Sequence, residues 1–230
     1  MERPIYPLKN MRITQGYQEG THMDSYAIDD AGLDTGIENV YAPFTGTIKK
    51  VYTKDANEIW LESDSPVEYP DGTIDYMTML LAHDNDISDF YVGKKINQKE
   101  VFYQEGTAGN ATGNHCHLEC GRGKFVEPGW LPNQAGYYGI INGKKPEDCL
   151  WLESDTNIID NHSYNFKTIP TSTEEEIEQL EAEDPPTNTV EPDEENIEDK
   201  PEESPRLIYT CKKAGLYGIY LKENEQVFLK

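Results

Sequence analysis

The chain is 230 residues long and carries 43 Asp and Glu against 20 Lys and Arg, a formal net charge of −23, which opposes any sequence-independent grip on nucleic acid phosphates. Mean hydropathy is −0.75, and no run approaches the roughly 18 uninterrupted apolar residues of a membrane-spanning helix, so neither nucleic acid binding nor membrane insertion is expected. The opening MERPIYPLKNMRITQGY puts charges and prolines where a signal peptide needs an apolar stretch of about 7–15 residues, and no secretory signal is expected.

Along residues 1–170 the chain reads as short strands punctuated by turns. Ala31-Gly32 marks a turn, Gly46–Tyr52 and Glu58–Glu62 read as strands, and Pro70-Asp71-Gly72 turns the chain into a further strand over Tyr76–Ala82. Glu100–Tyr103 follows, then a loop with Gly106, Gly109 and Gly113, then a strand over His115–Cys120. No long helical period interrupts these runs, so a single all-β domain is expected over 1–170.

Residues 171–204 form a different kind of segment. Between Glu174 and Glu203 there are 15 acidic residues against one Lys, with Pro185, Pro186, Pro192 and Pro201 and no aromatic residue. Such a composition buries too little apolar surface to offset the entropy of ordering and predicts an acidic linker, with a short helix allowed over Thr173–Ala182. Residues 205–230 hold strand-like runs (RLIYTCKKAGLYGIYLKENEQVFLK) but are too short to support a core alone. They are expected to pair with another chain, dock on the main domain or order on a target. Four cysteines, at 116, 120, 149 and 211, are too few for a disulfide-stapled scaffold and read as free thiols, unless Cys149 and Cys211 meet in space.

The densest set of metal-capable side chains lies at GTAGNATGNHCHLECGRGKF, residues 106–125. In an extended strand His115, His117 and Glu119 point one way, and Cys116, Leu118 and Cys120 the other. That geometry argues against a mixed His/Cys zinc cluster and makes the thiols small core hydrophobes. A zinc site on His117 needs two further protein ligands. His22, in a polar loop, and Asp29, at the end of the apolar run Tyr26-Ala27-Ile28, are the best candidates, with Asp24 and Asp30 as rivals. His83 closes one strand and opens a turn, where a side chain can project over a site. His162 has no partner pattern and reads as structural. No Ser or Cys nucleophile motif and no phosphate loop occurs.

Taken in order, Gln15-Gly16-Tyr17, THMDSYAID over 21–29, VYAPFTGTIKKVY over 40–52, LLAH over 80–83 and GTAGNATGNHCHLE over 106–119 make the chain resemble the lysostaphin/LytM-type zinc endopeptidases that cut peptidoglycan peptides. The match covers roughly residues 11–150. The resemblance implies a two-sheet antiparallel β domain with a groove for a peptide strand, Zn2+ held by His22, Asp29 and His117, and His83 and His115 as catalytic histidines that do not ligate the metal. It implies bacterial peptidoglycan as the substrate. Glu119 is then placed to orient an imidazole, and Tyr17, Asn114, Tyr137 and Tyr138 are groove contacts if they do not serve turns or the core. One departure stands out: the family spaces its first His and Asp as H-x-x-x-D, whereas six residues separate His22 from Asp29, as a longer loop before the same Ala-Ile-Asp strand would require. With no leader and a modular tail, the implied role is an endolysin or virion-associated wall hydrolase, held in the host cytoplasm before release to the wall or carried on the particle. Residues 205–230 would then bind wall or form a homo-oligomer. The alternative is a catalytically inactive LytM-like binding or regulatory module.

Overall fold

Strand Cys116–Arg122 alternates buried Cys116, Leu118 and Cys120 with His117 and Glu119, and a pleated backbone separates these two sets onto opposite faces. In the computed structural model, which describes residues 1–33, 36–132 and 136–170 and the backbone of 206–207 and 220–221, this strand lies within a nine-stranded sheet. The strands are β1 (Asn10–Gln15), β2 (Ile28–Asp30), β3 (Gly46–Tyr52), β4 (Glu58–Ser63), β5 (Met77–Ala82), β6 (Lys95–Ile96), β7 (Cys116–Arg122), β8 (Gly143–Lys144) and β9 (Asn157–Asp160). Their order is β9-β1-β2-β7-β5-β4-β3-β6, with β8 continuing the edge of β7 beyond β2.

The fold is all-β. Among the described residues the helical content is two three-residue 3-10 turns, Gly20–His22 and Pro146–Asp148. Among the described residues there are also five two-stranded ribbons, four of them in the same unit as the large sheet. Among the described residues the strands pair antiparallel with two exceptions, β1 with β9 and Trp151–Leu152 with Lys167–Thr168, which run parallel, and the isolated bridge Ile5–Trp151 is parallel as well. The β1–β9 pairing and the Ile5–Trp151 bridge bring the end of the domain back onto its beginning, a non-local pairing that strand alternation cannot reveal. The strand expected from His115 starts instead at Cys116 and runs on to Arg122, because His115 is engaged with Gly106 across an isolated bridge.

One face of the sheet carries the main core. Met79 and Leu81 from β5, Ile59 and Leu61 from β4, Ile28 from β2 and Ile48 from β3 pack with Cys116, Leu118 and Cys120. The ribbon pairing Asn39–Tyr41 with Val101–Gln104 adds Val40 and Tyr103 to that core. Every residue of β5 is buried, so both faces of this central strand are covered. On the second face Leu80 packs with Trp60 and Ile140 under Trp130 and Phe125. This smaller cluster walls one end of a cleft above the sheet.

The chain divides into two units, Met1–Glu178 and Gln179–Lys230. In the second, Arg206–Leu207 pairs antiparallel with Tyr220–Leu221. The acidic segment, the helix expected over Thr173–Ala182 and Cys211 lie outside the described residues, as does all but that pairing of residues 205–230. Cys116, Cys120 and Cys149 are buried free thiols.

Candidate metal centre

Strand register alone assembles the floor of the cleft. Gln15 pairs with Asp29, Asp29 with His117, and His117 with Ala82. One step along from the Ile59–Leu81 pair, Glu58 comes beside Ala82, and Glu58 itself pairs with Tyr52. These six residues make one row across six strands and all line a cleft of about 790 Å³. Two residues further along β7 and β5, Glu119 and Leu80 form the next row.

His22 reaches this row from the 3-10 turn Gly20–His22 and is buried. Its Nε2 is 3.3 Å from Asp29 Oδ1, and His117 Nδ1 is 3.0 Å from the same oxygen. The three side chains bring one ligand atom each to within 4.8 Å of one another. The protons around them make this arrangement suited to a cation. His22 Nδ1 is 3.0 Å from the Gly16 carbonyl, which can only accept, so in the neutral ring Nδ1–H donates and Nε2 keeps a lone pair. His117 Nε2 is 3.2 Å from Glu119 Oε1, and a neutral ring donating there leaves Nδ1 with its lone pair toward Asp29. With both rings neutral, two imidazole lone pairs and a carboxylate oxygen would converge, the N/O set that zinc takes, and a cation there would replace the proton that His117 otherwise holds toward Asp29. Burial by itself lowers the His117 pKa, but hydrogen bonds to Asp29 and Glu119 overcome it and raise the value to about 10. Burial works against the charged Asp29 carboxyl as well, and its contacts with the His117 and His22 rings nonetheless hold it well below the usual carboxylate range.

Two further histidines stand beside this cradle. His83 follows β5 in the left-handed region, at φ 88°, a conformation a non-glycine residue keeps only when its surroundings over-determine it. Its backbone N–H donates to Ala56 at 2.7 Å, its carbonyl accepts from Ala108 at 3.0 Å, and Nδ1 is 2.7 Å from the Ala108 carbonyl. Gly106 permits this packing, since a Cβ there would run into the His83 carbonyl. Burial, followed by the neighbouring His117 and His115 charges, lowers the His83 pKa to about 4, so the ring is neutral at pH 7 with Nδ1 protonated. His115 Nδ1 is 2.8 Å from the Gly113 carbonyl, and its Nε2 is 3.7 Å from Asp29 Oδ2. The His83 and His115 rings are 4.5 Å apart between centroids.

His22, Asp29, His83, His115, His117 and Glu119 therefore meet in one cleft, with Tyr137 and Tyr138 at its rim. Tyr17 and Asn114 are not among the residues lining it. Tyr17 stacks on Tyr164 at 4.4 Å and donates its hydroxyl to Glu147, while the Asn114 amide is 3.4 Å from the Gly36 carbonyl. Of the rival ligands, Asp24 is exposed, and Asp30 is turned to the opposite face, where it accepts from the Tyr6 hydroxyl and the Arg12 and Gly32 amides. The structure adds Glu58, Asp55, Tyr52 and Trp130 to the cleft. The strands of Glu58 and Tyr52 were legible, but no spacing signal tied these four residues to the histidines.

No protein-family model matches the chain. It is 28% identical over 174 residues to morphogenesis protein 1 of Bacillus phage B103, a match covering 71% of this chain and 43% of that protein, so the chain spans well under half the length of this relative. Among solved structures it is similar to a zinc-containing peptidase from Vibrio cholerae, with a TM-score of 0.40 and 20% identity over 53% of this chain and 37% of that one. It is similar also to the catalytic domain of lysostaphin from Staphylococcus simulans, with a TM-score of 0.38 and 17% identity over 63% of this chain and 89% of that one. A third likeness is to the SpoIIQ–SpoIIIAH pore-forming complex, with a TM-score of 0.40 and 21% identity over 56% of this chain and 89% of that one.

Proposed function

We propose that the protein is a zinc metallo-endopeptidase that hydrolyses peptide bonds of bacterial peptidoglycan. The observation that carries this reading is the convergence of His22, Asp29 and His117, one ligand atom each within 4.8 Å of the others, beside a second pair of histidines whose ring centroids are 4.5 Å apart. His22, Asp29 and His117 would hold the ion, and Glu119 would fix the His117 tautomer through Nε2. A zinc ion bound there supplies a Lewis acid that polarises the scissile carbonyl and acidifies water.

The remaining work falls to the protein's own side chains. Hydrolysis adds water to the carbonyl carbon, breaks the C–N bond and returns one proton to the departing amine. His83 and His115 each have Nδ1 engaged by a main-chain carbonyl, so each neutral ring has Nε2 as its accepting nitrogen, suited to taking up and returning that proton. The cleft, at about 790 Å³, has room for an extended peptide several residues long. Similarity to a phage morphogenesis protein supports a virion-associated wall hydrolase.

The test is zinc content of the purified protein by elemental analysis, run beside turbidity loss on peptidoglycan sacculi. About one zinc per chain is expected, lost along with lysis in Asp29→Ala and His117→Ala, whereas His83→Ala and His115→Ala keep the metal and lose lysis. A wild type that takes up no zinc and leaves sacculi intact overturns the reading in favour of an inactive binding module.

A further inference from the structure

The loop that carries His22 is held from outside by residues that the mechanism above does not use. Strand β9 runs parallel to β1, pairing Arg12 with Asp160, and the two chains therefore leave the sheet side by side. Beyond β9 the backbone closes a tight turn over 161–164, with His162 and Ser163 both at positive φ and the Tyr164 amide donating to the Asn161 carbonyl at 2.9 Å. This turn lies directly on Gly16 and Tyr17, the residues following β1.

Four contacts define the junction. The Tyr164 ring stacks on Tyr17 at 4.4 Å with an interplanar angle of 9°. The Tyr164 hydroxyl accepts the Tyr17 amide at 3.1 Å. Glu19 accepts the Gly16 amide and pairs with His162 Nε2 at 3.2 Å. On its other side Gly16 presents the carbonyl that takes His22 Nδ1–H. No side chain fits at residue 16, because a Cβ there would collide with the Tyr164 hydroxyl and the His162 ring. Gly16, whose carbonyl sets the His22 tautomer, is thus held between Tyr164 and His162 on one side and the His22 ring on the other. Such outer partners of a ligating imidazole govern its orientation and its affinity for the ion.

Resting on the metal reading above, we infer that Tyr164 is a positioning residue for the ligand His22, acting through the Gly16 carbonyl, with His162 and Glu19 as its support. The long His22–Asp29 loop explains why such a clamp is needed. Asp29 and His117 are fixed by strand register, whereas His22 sits in a three-residue turn whose placement comes from its neighbours.

The test measures zinc affinity by competition with a chromogenic chelator, beside thermal unfolding in excess chelator, on wild type, Tyr164→Phe, Tyr164→Ala, Gly16→Ala and the surface variant His162→Ala. Tyr164→Phe keeps the stack and loses only the acceptor for the Tyr17 amide. It is expected to raise the zinc Kd by about 10-fold with little change in the metal-free Tm, and Tyr164→Ala and Gly16→Ala by about 10–100-fold. His162→Ala, whose side chain is 35% exposed, leaves the fold intact and should raise Kd a few-fold. Unchanged Kd values across the set, even with lowered Tm, would show a merely structural turn and overturn the inference alone. A wild type that binds no zinc sinks the metal reading and this inference together.

Discussion

Asp29 and His117 are direct cross-strand partners on β2 and β7, and Asp29 Oδ1 lies 3.0 Å from His117 Nδ1. Two of the three proposed ligand atoms therefore need no loop to bring them together. A non-local pairing of strands from residues 28 and 116 onward builds the pair, and folding of the sheet is assembly of the site.

Removing either member should accordingly cost metal rather than fold. Asp29→Ala deletes one of three protein ligands and is expected to weaken zinc binding by about 100-fold or more, the share of one ligand in a typical zinc binding free energy. Chelator competition checks this, with far-UV circular dichroism unchanged. Retention of wild-type affinity would move the ligand role to another carboxylate, and neither Asp24 nor Asp30 faces the cleft.

Glu119 ties the proposed metal centre to the cleft wall, since Oε1 is 3.2 Å from His117 Nε2 and Oε2 accepts the Ile140 amide at 3.0 Å. Glu119→Gln keeps the volume and loses the charge that favours the donating Nε2–H tautomer. Zinc Kd should rise about 10–100-fold. Glu119→Ala should in addition destabilise the metal-free chain by about 1–3 kcal/mol, because the buried Ile140 amide loses its acceptor. Equal Kd values for Glu119→Gln and wild type would reduce Glu119 to a wall contact.

Gly106→Ala tests the placement of His83. The added Cβ meets the His83 carbonyl, so the backbone at φ 88° must shift and carry the ring with it. Zinc content is expected to stay near one per chain while kcat on sacculi falls about 10–100-fold, the scale of a misplacement of about 1 Å. Loss of zinc in this variant would instead mean that the His83 segment supports the ligands.

Much of this site was readable in the residues. Alternation in β7 put His117 and Glu119 on one face and the thiols in the core, and the bounds of β3 at Gly46–Tyr52 follow from its β-branched and aromatic run. Period-two patterning is a local property, so it survives the absence of any structure. The partners supplied by distant chain were not readable. Tyr17 is drawn away from the cleft by Tyr164, 147 residues later, and nothing near Tyr17 announces that stack. His162 read as structural, yet its salt bridge to Glu19 and its packing on Gly16 depend on the parallel β1–β9 pairing. Glu58 went unnoticed for the same reason, because only register across β4, β5 and β7 sets it in the row of His117.

Glu58 offers a pH-dependent test of that row. Burial, opposed by the His117 charge, raises its carboxyl from the ordinary 4.5 to about 7. A carboxyl with a higher pKa folded than unfolded favours the fold most when protonated, so its contribution is full below about pH 4.5 and is lost as the pH rises to about 7. Above pH 7 the ionised group weakens the folded state. Glu58→Gln removes that penalty without changing shape, and should be neutral at pH 4 and stabilising at pH 8. The gain expected at pH 8 is about 1–2 kcal/mol once solvent screening of a group opening on the cleft is allowed for, or about 2–6 °C in Tm. Thermal unfolding of both proteins at the two pH values, in excess chelator, checks it. An equal Tm difference at pH 4 and pH 8 would mean that Glu58 ionises in the cleft as freely as in water, and that the floor beside His117 is wetter than its packing implies.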